Sequence, residues 1–279
     1  MITFPNAKIN LGLHITSRRP DGYHNLETVF YPVPLDEALE AIPAERGRTE
    51  KCRLVVQGNP LPGSNDPQDN LVAQAYRLLD AEYDLPPIDA YLLKRIPSEA
   101  GLGGGSADAA FMLRLLNDLF ALGLTDERLE ILASRLGADC AFFVRNRPTY
   151  AEGIGNVFSP VTLPPLAGYG VCIVKPDERV STRAAFARVV PRQPQEPLRN
   201  VVALPVEQWR DRLTNDFEQS VFPQFPAIAQ VKDELYARGA LYASMSGSGS
   251  AVYGLFAPEA VMPEEDFGPG TQVFTGVLR

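Results

Sequence analysis

The residues from Ile96 to Leu113, IPSEAGLGGGSADAAFML, combine a glycine-rich turn with the start of an amphipathic helix. Four of the five residues from Gly101 to Gly105 are glycines, and Ser106 follows them. Such a turn leaves backbone N–H groups free at a helix N-terminus, where the positive end of the helix dipole also attracts anions. The pattern predicts a binding site for an anion such as a phosphate. The alternative, a tight connection between a strand and a helix, needs only one or two glycines.

Three well-known glycine loops do not fit these residues. A P-loop ends in Gly-Lys-Ser/Thr, but Ser106 follows Gly105 without an intervening lysine. The dinucleotide fingerprint needs glycine or alanine at Ser106 or at Asp108, depending on the register. A nucleophile elbow needs glycine at Asp108 if Ser106 is the nucleophile, and at Ser246 if Ser248 is. We therefore predict a phosphate site of a different class.

Two ionisable residues have sequence contexts that suit a phosphate site. Lys8 begins a stretch in which polar and apolar residues alternate, a pattern typical of a half-buried strand. The alternation places Lys8, Asn10 and His14 on one face, where we expect His14 to be structural rather than catalytic. Asp139 lies among small and apolar residues, where a carboxylate is unusual. Without further information, Lys8 can equally be a solvated lysine and Asp139 a loop residue that bonds to nearby backbone amides.

Composition and charge limit the class of protein. The chain has 279 residues, of which 45% are hydrophobic and 22% charged, as in soluble globular proteins. Its net charge of -8 argues against a nucleic-acid partner, which would need a basic surface. The three cysteines, Cys52, Cys140 and Cys172, are far apart and form no CxxC pair, so we expect reduced, packed thiols. No apolar run reaches the length of a membrane span, and we expect no signal peptide and a cytoplasmic protein.

Periodicity predicts the elements that position these residues. Apolar residues recur at helical spacing between Ser106, the expected N-cap, and Phe120. A second helix is expected to begin after Thr125 and to end at Gly137 in a left-handed cap. Strands and helices do not alternate regularly, so we predict an α+β fold rather than a doubly wound sheet.

A segment rich in glycine and proline, from Gly153 to Pro165, predicts a domain boundary. We expect an N-terminal domain of residues 1–150 and a C-terminal domain of residues 151–279. In the C-terminal domain, residues 170–174 are predicted to form a buried strand, and a later helix is expected to end before Gly239.

The glycine-rich segment PSEAGLGGGSADAA resembles the phosphate loop of the GHMP kinases, Pro-x-x-x-Gly-Leu-Gly-x-Ser/Gly-Ser-x-Ala. The resemblance extends over nearly the whole chain: NAKINLGLHI is similar to the first strand of the family, PQDNLVAQAYRLL to its adenine-side helix and MSGSGSAVYGLF to its third glycine motif. RPDGYHNLETVF and LGADCAFFV resemble one branch in particular. Members of that branch phosphorylate the 2-hydroxyl of a methylerythritol that carries cytidine diphosphate, in the non-mevalonate pathway of isoprenoid biosynthesis.

The resemblance implies a two-domain GHMP-kinase-like fold, with mixed sheets and a glycine-rich loop that leads into a helix. It also implies an enzyme, a small-molecule kinase that uses ATP as co-substrate together with Mg²⁺. No Asp or Glu stands out as a metal ligand, so the metal ligands stay unassigned. The implied partner is a small molecule that carries a cytidine diphosphate, and the oligomeric state stays open.

The resemblance further implies roles for individual residues. Lys8 and Asp139 match the catalytic lysine and aspartate: Asp139 accepts the hydroxyl proton or acts as an orienting charge, and Lys8 stabilises the developing alkoxide. The ATP-binding residues it implies are Asn70 and Lys94 at the adenine and, around the phosphates, Pro97, Ser98, Glu99, Ala100, Gly101, Leu102, Gly103, Gly104, Gly105, Ser106 (also toward Mg²⁺) and Ala107. The substrate-binding residues it implies are Asn10 at the methylerythritol hydroxyls and Tyr23, His24, Thr182 and Phe186 at the cytidine.

Alternatives stay open for several of these residues. Tyr23 and His24 can also be exposed side chains beside an Asp-Gly turn, and Phe186 can equally belong to the core. Asn156 stands where the family commonly has Glu, so a role for that acidic position is in doubt. The rival functions are a homoserine- or mevalonate-type kinase and a nucleotide-binding regulatory protein without turnover.

Overall fold

The structure is a computed structural model, which describes residues 1–45, 47–60, 66–263 and 267–279. Its strands, in chain order, are β1 (Ile2–Thr3), β2 (Asn6–Arg18), β3 (His24–Asp36), β4 (Ala38–Pro43), β5 (Cys52–Gly58), β6 (Ile88–Lys94), β7 (Thr149–Glu152), β8 (Val157–Ser159), β9 (Gly170–Lys175), β10 (Tyr242–Met245), β11 (Val252–Phe256) and β12 (Gln272–Val277). Its helices are α1 (Leu71–Tyr83), α2 (Gly104–Leu119), α3 (Asp126–Ser134), α4 (Phe142–Arg145), α5 (Thr182–Phe186), α6 (Leu198–Val202), α7 (Phe217–Val221) and α8 (Pro226–Ala237). Within the described ranges, no helix is both long and apolar enough to cross a membrane.

The chain divides into two compact units, each made of several segments. Unit 1 comprises Met1–Ala7, Leu35–Ser98 and Gly103–Arg147, and unit 2 comprises Lys8–Pro34, Glu99–Leu102 and Pro148–Arg279. The last segment of unit 2 begins at Pro148, whereas the sequence pattern placed a boundary between residues 150 and 151. That boundary stays a prediction.

Unit 1 contains a four-stranded mixed sheet with strand order β1-β4-β6-β5. Strands β5 and β6 run parallel, and the other two pairings are antiparallel. In β6 the buried residues alternate with more exposed ones, which fits the sheet having one covered face. Helices α1 and α2 pack against each other, α1 against β5 and α2 against β4. The sheet and these two helices together form the core of unit 1.

Unit 2 is built on two four-stranded sheets with strand orders β2-β3-β7-β8 and β10-β11-β9-β12. Every residue of β9 is buried, which confirms the buried strand predicted for residues 170–174. Helix α8 packs against β10 and β11, and its buried side chains are Ile228, Val231 and Leu235. Gly239 follows the end of this helix with a φ of +94°. Strands and helices mix without regular alternation, so the predicted α+β class is confirmed.

The prediction for β2 was half right. The strand exists, but both of its faces are buried, and the polar residues Lys8, Asn10 and His14 are only 3%, 2% and 6% exposed. Buried polar groups are tolerated where they are hydrogen-bonded, and these residues bond to one another or to neighbouring strands. For example, His14 Nδ1 lies 3.0 Å from Glu27 Oε1. The interpretation of β2 as half buried was therefore wrong.

Two predicted helix caps were also wrong. Helix α2 starts at Gly104, and its N-cap is Gly103 in the left-handed conformation, so Ser106 lies inside the first turn. Only glycine adopts that backbone conformation without strain, which lets the helix begin earlier than a serine cap would allow. Thr125 does cap α3, but this helix ends at Ser134 with a right-handed C-cap, before it reaches Gly137. The residues after α3 form a separate turn.

Candidate active site

Within unit 2, the glycine-rich loop packs against the turn at the start of the MSGSGSAVYGLF segment, residues 245–256. Gly101 has a φ of +74°, and a Cβ at this position would overlap the carbonyl oxygen of Ser246 and lie 2.8 Å from its carbonyl carbon. Ser246 Oγ donates a hydrogen bond to the Gly101 carbonyl at 2.8 Å. The N–H of Ala251 donates to the Ala100 carbonyl at 3.1 Å. The two turns therefore pack backbone against backbone, and glycine is required at Gly101 for this approach.

The other end of the loop forms the N-terminus of α2 in unit 1. No side chain caps this helix. The N–H of Ala107 donates to the carbonyl of Gly103, the N-cap residue, at 2.9 Å. The N–H groups of Gly104, Gly105 and Ser106 precede that bond and have no intrahelical acceptor. Gly105 is exposed. Free N–H donors at the positive end of a helix dipole are typical of anion sites, and phosphate binding at this helix stays a prediction.

Lys8 lies directly beside the loop in unit 2. Its backbone N–H donates to the Leu102 carbonyl at 2.9 Å. Its ammonium donates to Asn10 Oδ1 at 2.7 Å and lies 5.0 Å from the centroid of the Phe30 ring. Because the ammonium is buried and directed by Asn10, Lys8 is not the solvated surface lysine of the alternative interpretation.

Asp139 is half buried in the turn between α3 and α4 of unit 1. The next residue, Cys140, donates its backbone N–H to the Gly137 carbonyl at 3.2 Å. Burial raises the pKa of the Cys140 thiol to about 11, so the thiol is neutral at physiological pH. The nearby Ser106 side chain, in the first turn of α2, opposes this rise in the pKa. The pairing of Asp139 with Lys8 stays a prediction.

A buried ion cluster lies beneath the N-terminus of α2. The Lys94 ammonium is 2.7 Å from Glu37 Oε2 and 2.8 Å from Asp108 Oδ2. The second oxygen of Glu37 accepts from the N–H of Ile96 at 2.8 Å. A Cβ on Gly104 would lie 3.4 Å from Lys94 Nζ, so the ammonium is close to the backbone of the loop. We call these three ionisable residues the Lys94 cluster.

The predicted adenine residues occupy structural positions. Asn70 is the N-cap of α1, and its side-chain oxygen accepts from the N–H of Val72 at 2.8 Å. The Lys94 side chain is only 2% exposed and paired with two carboxylates. Contacts of Asn70 and Lys94 with adenine stay predictions. Glu37 was missed because nothing in the residues around it marks a buried carboxylate.

Aromatic side chains predicted at the cytidine come together in unit 2. The rings of His24 and Phe186 stack with centroids 4.8 Å apart and an interplanar angle of 18°. Phe186 also meets Phe217 edge to face at 4.8 Å, so it belongs both to this stack and to the rim of the core. Tyr23 is 62% exposed, and Thr182 is exposed at the start of α5. Both are accessible to a ligand.

Comparison with known proteins assigns the family. A model of the GHMP kinases N terminal domain matches residues 70–147, and a model of the GHMP kinases C terminal matches residues 201–264. A 4-diphosphocytidyl-2-C-methyl-D-erythritol kinase of Bacteroides thetaiotaomicron is 58% identical over 278 residues, which cover 100% of each chain. A protein of the same name from Parabacteroides distasonis is 52% identical, with 92% of each chain covered. The chain belongs to the GHMP kinases.

Solved structures agree with this assignment. A crystal structure of a 4-(cytidine 5'-diphospho)-2C-methyl-D-erythritol kinase has 33% identity and a TM-score of 0.78, covering 91% of this chain and 90% of the other. The Methanococcus jannaschii mevalonate kinase has a TM-score of 0.71 at 13% identity, covering 100% and 98%, and so shares the fold. As a GHMP kinase, the protein is a small-molecule kinase with ATP as co-substrate.

Protonation of the Lys94 cluster follows from its burial. Burial alone lowers the pKa of Lys94, but the charges of Asp108 and Glu37 outweigh it and raise that pKa above its usual value. Burial raises the pKa of Asp108 well above its usual value; the Lys94 charge opposes this, and the neighbouring Glu37 adds to it. Oδ1 of Asp108 receives no hydrogen bond from any described residue. Burial and the neighbouring Glu37 carboxylate therefore favour the protonated form of Asp108.

We expect the Asp108→Asn variant of this GHMP kinase to melt at a higher temperature than the parent at pH 7, by about 3 °C or more. Asparagine has the shape of the neutral acid and needs no proton. The folded-state pKa of Asp108 is raised, so protonation of Asp108 stabilises the folded parent. This stabilisation is complete below the unfolded-state pKa of about 4, and it is lost as the pH rises through the folded-state pKa. The difference should therefore vanish near pH 4.

Thermal unfolding between pH 4 and pH 8 measures this difference. The exposed Asp233→Asn substitution in α8 is the control, for which we expect nearly no change with pH. A lower melting temperature for Asp108→Asn at pH 7 would show that Asp108 is ionised and paired with Lys94.

Among the described residues, no group of three or more His, Cys, Asp or Glu side chains is arranged to hold a metal ion. Mg²⁺ in kinases is held largely by substrate phosphates and water, with one or two protein ligands, so the residues present are compatible with a nucleotide-borne Mg²⁺.

Asn156 accepts from the N–H of Ile154 at 3.3 Å and belongs to a turn.

Proposed function

We propose that this GHMP kinase transfers the γ-phosphoryl group of ATP to the 2-hydroxyl of 4-diphosphocytidyl-2-C-methyl-D-erythritol, in isoprenoid biosynthesis. The relatives that share half or more of its residues carry the name of that kinase. The observation that carries the substrate assignment is the stacked pair of His24 and Phe186 beside the exposed Tyr23. Nucleobases stack on such rings, and an imidazole offers a donor and an acceptor to the edge of a cytosine.

ATP is proposed to bind with its phosphates on the N–H groups at the start of α2. The uncapped helix N-terminus and the backbone packing of Gly101 on Ser246 support this placement. The proposed ATP-binding residues are Asn70, Lys94 and the loop from Pro97 to Ala107. Mg²⁺, when bound, neutralises phosphate charge, and Ser106 is the proposed residue that reaches it.

Lys8 and Asp139 are the proposed catalytic residues. Phosphoryl transfer depends mainly on positioning and on charge stabilisation. Lys8 donates its backbone N–H to the carbonyl of Leu102 in the glycine-rich loop, which supports its place in the proposal. In the proposal, Asp139 takes the proton of the attacking hydroxyl, and Lys8 stabilises the developing alkoxide. Asn10, which bonds to Lys8, is proposed to contact the methylerythritol hydroxyls.

The partners in this proposal are small molecules, and the reaction is placed in the cytoplasm, where ATP is available. A screen of ATP consumption against 4-diphosphocytidyl-2-C-methyl-D-erythritol, mevalonate and homoserine tests the substrate. We expect turnover with the cytidyl substrate alone, and inhibition of it by CMP or CDP. Turnover with mevalonate or homoserine instead would refute the substrate assignment, and no turnover with any of the three would favour a regulatory protein.

We expect Tyr23→Ala and Phe186→Leu to raise the KM of the cytidyl substrate by about 5- to 150-fold, since base–aromatic stacking contributes roughly 1–3 kcal/mol. The KM of ATP should stay nearly unchanged. Leucine keeps apolar volume at position 186 while it removes the ring face. Phe225→Leu is the matched control, because Phe225 packs at the rim of the same core and is not proposed to meet the substrate. Equal weakening of both substrates would assign these rings to the core.

A further inference from the structure

Thr28 is a fully buried residue of β3. Its hydroxyl takes part in a chain of hydrogen bonds that leads to Lys8. Thr28 Oγ1 donates to the Gly12 carbonyl at 2.6 Å. Asn10 Nδ2 donates to Thr28 Oγ1 at 2.9 Å, and Lys8 Nζ donates to Asn10 Oδ1 at 2.7 Å. Thr28 is 0% exposed, and Asn10 and Lys8 are 2% and 3% exposed, so water does not compete at these bonds.

The direction of every bond in this chain follows from the chemistry of its ends. The carbonyl of Gly12 can only accept, so it takes the single hydroxyl proton of Thr28. Thr28 can then only accept from Asn10, which must present its NH₂ group to the hydroxyl. The oxygen of the Asn10 amide therefore faces Lys8, whose ammonium can only donate.

The reversed amide is excluded while Thr28 is present. A flipped Asn10 would direct its NH₂ group at the ammonium of Lys8 and leave two acceptors, its own oxygen and Thr28 Oγ1, facing each other without a proton. Buried polar groups without a hydrogen-bond partner destabilise the fold, which disfavours this orientation. The backbone of Asn10 is held separately, because Tyr253 Oη donates to its carbonyl at 2.7 Å. Only the amide orientation depends on Thr28.

We propose that Thr28 is a positioning residue for phosphoryl transfer: it fixes the orientation of the Asn10 amide and thereby the position of the Lys8 ammonium. Thr28 contacts neither the proposed substrate nor ATP and acts through Asn10. The proposal rests on the proposed catalytic role of Lys8. It explains why a strand position with no exposure holds a threonine, where valine would have the same shape and no polar atom to satisfy.

Thr28→Val tests the proposal because it removes the hydroxyl and keeps the volume. We expect kcat to fall roughly 10- to 100-fold, the range of a hydrogen bond to a charged group, while the KM of ATP stays within about twofold. Thr28→Ser restores the hydroxyl and should recover most of kcat. Ile15→Val, a buried truncation in β2 outside the chain of bonds, controls for destabilisation and should keep the parent kcat.

The double variant with Lys8→Met separates this proposal from the proposed function. If Lys8→Met lowers kcat strongly and adding Thr28→Val lowers it little further, Thr28 acts through Lys8. A Thr28→Val enzyme with parent kcat, or losses that multiply fully in the double variant, would overturn the positioning role and leave the role of Lys8 intact. A Lys8→Met enzyme with parent kcat would overturn both. Should Thr28→Val not fold, Thr28→Cys has a similar volume and only a weak donor and acceptor, and the same loss of kcat is expected.

Discussion

Asp139→Asn is expected to lower kcat by about 10²- to 10⁴-fold, the usual effect of removing a general base. Asparagine keeps the shape of the side chain but removes its charge and its capacity to accept a proton. The KM of ATP should change little, because the proposed ATP contacts are on the glycine-rich loop. Steady-state kinetics with both substrates varied measure the two effects. Asp126→Asn, an exposed residue at the start of α3, is the control and should keep the parent kcat.

Lys8→Met should also lower kcat strongly. Residues that act as a unit show non-additive losses, so the Lys8→Met, Asp139→Asn double variant should lose much less than the product of the single effects. An Asp139→Asn enzyme that keeps more than about a tenth of the parent kcat would fall outside the range of a general base. Asp139 would then be a structural residue of its turn, and the base would have to be sought near Lys8.

Gly101→Ala is expected to have the largest effect on folding. The residue has a φ of +74°, and the added Cβ would overlap the Ser246 carbonyl. That carbonyl cannot easily retreat, because Ser246 also donates its N–H to the Ala251 carbonyl at 2.9 Å. The strained backbone and the overlap together should cost on the order of 3 kcal/mol or more. Urea unfolding measures the loss, and a parent-like midpoint would contradict the observed packing of the two turns.

Gly105→Ala is the matched substitution four residues later in the same loop. A Cβ there would meet only Leu71 Cδ1 at 3.6 Å, an ordinary contact, and Gly105 lies in the first turn of α2. Alanine favours a helix over glycine by about 0.5–1 kcal/mol, so the fold should be unchanged or slightly stabilised. ATP affinity should nevertheless fall, because the methyl group would stand where phosphate approaches the backbone. Unchanged ATP binding would place the phosphates elsewhere.

The sequence by itself determined the local chemistry of the loop and the class of the fold. Glycine at Gly101 is a backbone requirement, and a run of glycines before an apolar helix predicts an anion site from local geometry alone. Periodicity of 2 and of 3.6 residues was sufficient to predict that β2, α2 and α3 exist, but it did not predict the burial of both faces of β2 or the exact ends of the helices. The motifs around Lys8 and Asp139 indicated the kinase family, and the comparisons confirmed it.

Only the tertiary structure decided which polar residues are buried and what they bond. Alternation in β2 predicted one polar face. In the structure both faces are buried, and Lys8 and Asn10 belong to a chain of hydrogen bonds that includes Thr28. Glu37 lies far from Lys94 along the chain, and their ion pair depends on the register of β4 against β6, which no local pattern encodes. The sequence does not distinguish a hydroxyl or carboxylate in water from one in a core. Long-range packing determines its hydrogen-bond partners, and therefore its protonation state and its role.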